Sequence, residues 1–369
     1  MKRKALLALS IMMIFALLVT GCSSAPTQAD QPKDAAEEKL KVAFVYVGPV
    51  GDAGWTYAHD MGRQYLESQI PNIETTFIES VPEGADSERV ITELAEKGNK
   101  IIFTTSFGYM DPTINVAKKY PDVTFLHCSG FKTSENVGTY FGRMYQARYL
   151  SGIVAGQKTS SNVIGYVAAF PIPEVVRGIN AFTLGVRSVN PDAVVKVVWT
   201  NTWYDPAREK EAAKGLLDAG ADVIAQHQDT PGPQQAAEEK GAFSIGYNTD
   251  MSQFAPKAYL TAPVWNWGPY YVETVQAVMD GTWKTEQYWG GMDEGITQLA
   301  PMTDLVDAET KALVEAKQKE IISGTWDVFT GEIKDQNGNV AVKAGEKMTD
   351  EQMLSFDWFV EGVDGTIPK

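Results

Sequence analysis

The sequence predicts a two-lobed α/β protein built from doubly wound parallel sheets, and three observations carry the prediction. The chain has 369 residues, 44% of them hydrophobic and 11% aromatic, enough to fill two cores of ordinary domain size. Short β-branched or aromatic runs alternate with segments of helical period, the pattern of right-handed βαβ crossovers. That rhythm of strand, turn and helix runs once from Leu40 and starts again at Asn162.

The first unit organises the rest. Residues 41–47 form a strand-length apolar run, broken by Gly48-Pro49-Val50-Gly51-Asp52-Ala53-Gly54, residues that suit turns and close backbone approach. From Trp55 the period becomes helical, with Trp55, Ala58, Met61, Gly62 and Tyr65 able to share a face. Ligands of such sheets sit beyond the carboxyl ends of the strands, so Trp55 is expected to face one.

A second strand is expected at 74–79, a helix at 87–97, a buried strand at 100–105, a helix at 112–120 and a strand at 123–128. Residues 138–152 combine a short strand with the start of a helix running to 158, the first crossing between lobes. The second series has strands at 162–168, 193–199, 222–225 and 243–247, with helices at 174–189, 205–219 and 234–240. Pro206 suits the first turn of its helix. Residues 259–263 return the chain to the first lobe and lead to a helix ending near 280. Residues 287–299 read as a strand region that crosses once more, and 308–323 as a helix. The expected division is 40–150 plus 261–286 for lobe 1 and 151–260 plus 287–330 for lobe 2. Residues 331–369, with Phe356, Trp358 and Phe359, form an extension packed on the body.

The N-terminus reads as a secretory signal over residues 1–21. Lys2, Arg3 and Lys4 form a basic head, Ala5 to Leu18 an apolar core, and small residues precede Cys22. The apolar run falls short of the ~20 residues a membrane span needs. Residues 22–39 are too poor in apolar side chains to fold and read as a disordered tether. A formal net charge of −15 argues against nucleic acid as a partner and against electrostatic grip on anionic lipid. Beyond Cys22 the chain has Cys128 alone, so no intramolecular disulfide is expected. Cys128 lies in an apolar run and reads as a buried thiol.

His59, His127 and His227 are scattered, without metal-ligand spacing. No Walker loop, Gly-x-Ser-x-Gly elbow or Gly-x-Gly-x-x-Gly fingerprint follows a strand. The chain is therefore expected to have no catalytic residue, metal or cofactor, and not to be an enzyme. The strand-end loops instead carry Trp55, Phe107, Tyr109, Tyr140, Trp203, Tyr204, Trp265 and Trp267, interleaved with Asp52, Gln228, Asp229, Asn248, Asp250 and Asn266. Flat aromatic walls with a few directed polar groups suit a planar heteroaromatic ligand. Stacking is worth about 1–3 kcal/mol per base in nucleic-acid sites. The plainer readings are a packing lid for each tryptophan, helix caps for Asp205, Asp229 and Asp250, and a stabilised lobe crossing for Arg143 and Arg148.

Four segments resemble the basic membrane protein family of substrate-binding lipoproteins: Gly51-Asp52-Ala53-Gly54-Trp55, residues 142–152, Arg177-Gly178-Ile179-Asn180-Ala181-Phe182 and Gly246-Tyr247-Asn248-Thr249-Asp250. The likeness covers roughly residues 40–323, and the Gln-Ala-Arg-Tyr-Leu-Ser-Gly stretch is its most specific part. It implies a type I periplasmic-binding-protein fold: two Rossmann-like lobes, three crossovers and a cleft that closes on ligand. It also implies a purine-type ligand, an ABC permease and ATPase as partners, and no cofactor. Val19-Thr20-Gly21-Cys22 resembles a lipobox, which implies lipidation of Cys22 and a lipid-anchored, extracytoplasmic protein at the cell surface or in the periplasm. A monomer is expected.

Where nucleoside-binding members have Phe-Asn, this chain has Trp55-Thr56, keeping the aromatic wall and losing an amide. Their ribose-binding aspartate matches Asp250, and their ribose-binding lysine falls near residues 264–267, where this chain has no cation. The expected ligand is thus a purine nucleobase (adenine, hypoxanthine or guanine). A purine nucleoside, or a ligand-sensing lipoprotein without transport, are the alternatives. The expected ligand-binding residues are Asp52, Trp55, Thr56, Phe107, Tyr140, Trp203, Asp229, Asn248, Asp250 and Trp265.

Overall fold

The structure, a computed structural model, describes residues 39–368. The expected signal peptide, Cys22 and nearly all of the tether lie outside the described residues. The first series runs β1 (Leu40–Val45), α1 (Trp55–Gln69), β2 (Ile73–Ile78), α2 (Ala85–Glu96), β3 (Ile101–Thr104), α3 (Met110–Ala117), β4 (Thr124–Cys128) and β5 (Val137–Gly142). The second runs α4 (Tyr145–Lys158), β6 (Val163–Ala168), α5 (Pro173–Val189), β7 (Val194–Trp199), α6 (Pro206–Asp218), β8 (Val223–His227), α7 (Gly232–Glu239), β9 (Phe243–Ile245) and β10 (Tyr259–Thr261). Then come β11 (Pro263–Trp265), α8 (Trp267–Met279), β12 (Gln287–Gly290), β13 (Thr297–Leu299) and α9 (Ala308–Ile322). The chain ends with β14 (Ile333–Lys334), β15 (Val340–Val342), α10 (Asp350–Leu354) and β16 (Val363–Asp364).

The strands build two six-stranded sheets, β12-β5-β4-β3-β1-β2 and β10-β9-β8-β6-β7-β16. All pairings within both sheets are parallel. Strand order reverses at β1/β3 and again at β6/β8, the switch points where such sheets open a crevice at their carboxyl ends. Parallel strands are buried on both faces, and β1 shows the two-residue period. Val42, Phe44 and Tyr46 join the core that continues into the second lobe, while Ala43 and Val45 join a separate core with Val90, Ile91 and Leu94 of α2. In the second sheet Val167 and Ile224 pack with Ala213 and Leu216 of α6 on one face. Ile164 and Ala225 face the large shared core with Ile179 and Phe182 of α5.

The chain passes between sheets at residues 143–144, 262 and 291–296, and at the second and third passages β11 and β13 pair antiparallel. One expected boundary is corrected here. Gln287–Gly290 pairs with β5 and extends the first sheet, so the third crossing begins after Gly290 instead of at residue 287. The expected single strand region is two strands separated by a turn, because Gly290 and Gly291 break the run. Beyond residue 330, β14 and β15 form a hairpin and β16 adds to the edge of β7. Phe356 and Phe359 are buried in the main core.

Candidate ligand-binding cleft

The carboxyl ends of the two sheets face each other, and the loops that follow β1, β3, β4, β6, β7 and β8 meet. Contact between lobes is close. A Cβ on Gly54 would lie 2.0 Å from the Asp229 carbonyl oxygen, so only glycine lets the two backbones meet. Thr249 donates its hydroxyl to the Ala53 carbonyl, and Ser129 donates to Glu174, both across the cleft. These bonds hold a closed form.

Between the closed lobes lies a cavity with about 20 Å³ of free space, lined by Val47, Trp55, Ser106, Phe107, Ser129, Glu174, Trp203, His227, Asp229 and Tyr247. That is room for about one water, well below the ~300–1,000 Å³ of ligand sites. Trp55 opens α1, and its Nε1–H donates to the Thr105 carbonyl (2.6 Å), which fixes the indole plane. Trp203 is half-buried and packs against Phe170, with ring centroids 5.0 Å apart. Asp229 is buried, and among the described residues its carboxylate accepts a hydrogen bond only from Asn248 Nδ2 (3.2 Å). Burial, with the nearby charge of Asp52 adding to it, pushes the Asp229 carboxyl well above its usual range. Burial also pushes Glu174 up, but His227, Ser129 and Arg177 outweigh it and hold the carboxyl below its ordinary value. Burial pulls His227 down to about 4, so the ring is neutral near pH 7.

Of the ten expected ligand residues, Trp55, Phe107, Trp203 and Asp229 line this cavity. The others are placed elsewhere, for identifiable reasons. Asp52 turns its carboxylate onto the start of α1, accepting from the backbone N–H of Gly54 (2.7 Å), Thr56 (2.8 Å) and Tyr57 (3.0 Å). Thr56 Oγ1 accepts from Gly48 N–H (3.2 Å) and is buried. Tyr140 is buried, its hydroxyl 3.2 Å from that of Tyr271, and it borders a wider adjoining groove of about 520 Å³. Asn248 stands behind Asp229 and accepts from Trp265 Nε1 (2.9 Å). Trp265 belongs to the hinge strand β11, stacked on Trp267 with centroids 4.5 Å apart. Asp250 is exposed, and its carboxylate accepts from Ser252 N–H (2.9 Å), the local turn bond that competes with any ligand role.

Glu174, His227, Tyr247, Ser106, Ser129 and Val47 line the cavity without having been singled out in the sequence. All but Glu174 lie at or just past strand ends; Glu174 follows Pro173 in the first turn of α5. A rule that took every residue within two positions of a strand's carboxyl end, whatever its type, would have found the five.

Two sheets of this order, three crossings and a closed cleft lined from both lobes define a binding protein of the type I periplasmic-binding fold. The chain belongs to the Bmp family, described as ABC transporter substrate-binding protein PnrA-like, whose family model matches residues 39–330. A purine-binding protein of Brucella abortus is 50% identical over 335 residues, covering 90% of this chain and 95% of that protein. A putative ABC transporter glucose-binding protein of Haloferax volcanii is 44% identical over 332 residues, covering 90% of this chain and 82% of that one. Among solved structures, a solute-binding protein of an ABC transporter system from Aeropyrum pernix K1 matches with a TM-score of 0.69 at 20% identity. That match covers 85% of this chain and 97% of the other. Members of such a family bind small-molecule ligands outside the cytoplasm and present them to a permease and its ATPase. Among the described residues no helix is long and apolar enough to cross a membrane.

Proposed function

We propose that this protein captures a purine nucleobase between its lobes and delivers it to a membrane permease, held at the membrane by a lipid on Cys22. The observation that carries the reading is the lining of the closed cavity. Trp55, Phe107, Trp203 and Tyr247 offer aromatic surface, Glu174 offers a carboxylate, and Asp229, from a separate element, offers a carboxyl whose proton affinity burial has raised. A carboxylate buried in a closed cleft demands N–H or O–H donors. A free purine base carries ring N–H groups that a nucleoside gives up to its sugar at N9. The cavity lining contains no lysine or arginine. The Brucella abortus relative, a purine-binding protein, supports a purine. The Haloferax volcanii relative, a putative glucose-binding protein, makes glucose the competitor to test.

Calorimetric titration decides it, using protein unfolded and refolded to strip carried-over ligand. Adenine, hypoxanthine or guanine is expected to bind at micromolar Kd or tighter, about −8 kcal/mol or more favourable. Adenosine and inosine should bind at least tenfold more weakly, and glucose should give no heat. Nucleosides tighter than bases would sink the nucleobase assignment; glucose binding with silence from every purine would sink the purine class.

A further inference from the structure

Behind the cavity wall made by His227 and Tyr247 lies a polar cluster that ligand contact does not use. Arg148 of α4 is 0% exposed, its guanidinium 3.6 Å from the Tyr247 ring centroid and its Nη1 donating to the Gln226 carbonyl (2.7 Å). Its Nε has no hydrogen-bond partner among the described residues, and neither has His227 Nδ1 or the Tyr166 hydroxyl. Arg148, His227 and Tyr166 are each more than nine-tenths buried. Buried groups left unpaired carry the full cost of lost hydration, so three such atoms in one place require an explanation.

The three atoms border the same glycine. A Cβ built on Gly178 of α5 would lie 3.6 Å from Arg148 Nε, 3.6 Å from His227 Nδ1 and 3.8 Å from the Tyr166 hydroxyl, the three nearest heavy atoms outside its own stretch of helix. Gly178 is helical and alanine fits there without a clash, so neither φ nor helix packing requires glycine, which weakens a helix interior. What glycine provides is room beside polar atoms.

We infer that Gly178 leaves a sealed site for one ordered water that bridges Arg148 Nε, Tyr166 and His227 Nδ1, and so fixes the His227 tautomer that faces Glu174. For these three atoms the hydrogen-bond balance closes. Neutral His227 directs Nε2 toward Glu174 Oε1, 3.4 Å away, and a carboxylate there calls for Nε2–H. His227 Nδ1 is then an acceptor. The water donates one proton to it, accepts from Arg148 Nε–H and makes its third bond with Tyr166, the usual number for a buried water. A cation is excluded by the Arg148 charge, and an anion has no proton to give Nδ1. Arg148, Tyr166 and Gly178 are thereby positioning residues: they orient His227, which orients the Glu174 carboxylate that lines the cavity.

Gly178→Ala in the full chain tests this, because the methyl group displaces the water while favouring the helix. Its Tm is expected to fall, because three buried polar atoms lose their partner and the helix gains less than that costs. In ligand-free protein, 15N spectra of the histidine rings are expected to show parent His227 as the Nε2–H tautomer. The variant should be a mixture or the Nδ1–H form. Adenine affinity should fall about tenfold, an arm that rests on the purine reading; the ligand-free spectrum does not. An unchanged His227 ring pattern in a folded variant overturns the inference. If the variant folds poorly, a high-resolution crystal structure of the parent decides. Density for one water within hydrogen-bond reach of all three atoms supports the site, and its absence, or a chloride there, overturns it.

Discussion

Asp52 and Trp203 both belong to strand-end loops, yet their surroundings give them opposite work. The Asp52 carboxylate is saturated by three backbone N–H groups at the start of α1. Asp52→Ala is expected to cost about 0.5–2 kcal/mol of stability in urea unfolding, the range for a lost helix cap, with a smaller effect on ligand. Trp203 is half-buried and offers a face to the cavity. Trp203→Ala should leave the unfolding midpoint nearly unchanged and weaken adenine binding ten- to hundredfold, the ~1–3 kcal/mol of a lost stacking face. The reverse pattern, in which Asp52→Ala abolishes binding at unchanged stability, would return the aspartate to the ligand. Sequence alone does not separate the two residues. Each is a strand-end side chain of the right chemistry, and only the path of the backbone decides whether amides or ligand reach it first.

At the scale of elements, α5 depends on the C-terminal extension. Asn180 of α5 donates to the Trp358 carbonyl (2.9 Å) and accepts from Val360 N–H (3.0 Å), and Arg177 donates to the Met353 carbonyl (2.8 Å). All three partners come from beyond residue 330. Ending the chain there removes these bonds, bares the apolar surface that Phe356 and Phe359 cover, worth about 1.5–3 kcal/mol for each fully buried large side chain, and bares the edge of β7. The truncated protein is expected to lose at least ~3 kcal/mol of stability in urea; equal stability would show the extension to be accessory. The long elements were legible because an apolar run or a helical period repeats several times within them. β12 and β13 were legible as one strand region, but the two- and three-residue strands β14 to β16 were not, since so short a run has no period.

Closure of the whole molecule brings like charges together. Asp52 follows the first strand of one lobe and Asp229 the third strand of the other, and the closed cleft buries both. Burial raises Asp52 to about 6 and, with the Asp52 charge adding to it, lifts Asp229 well above the usual range. The closed form therefore binds protons more tightly than a form in which these carboxyls keep their ordinary value of 3.8. Its stabilisation is largest at acid pH and declines as pH rises from about 4 through about 6 and beyond. Small-angle scattering of ligand-free protein should give a larger radius of gyration at pH 7.5 than at pH 5. Asp229→Asn should reduce that difference to the part Asp52 contributes, because Glu209, raised to about 7 mainly by burial, lies within one lobe and bonds Thr230 and Asp205. An equal pH response in Asp229→Asn would place the proton elsewhere.

The order of strands and helices, the two lobes and the aromatic character of the strand ends were determined by local sequence, because period and turn chemistry act over a few residues. Which side chains line the cavity was decided by tertiary structure. Lobe closure puts Glu174 and His227 against Trp55, turns Trp265 into the hinge and leaves Asp250 at the surface. Those placements depend on contacts such as Gly54 with Asp229 and Ser129 with Glu174, between residues 45 or more positions apart, and no local pattern encodes them.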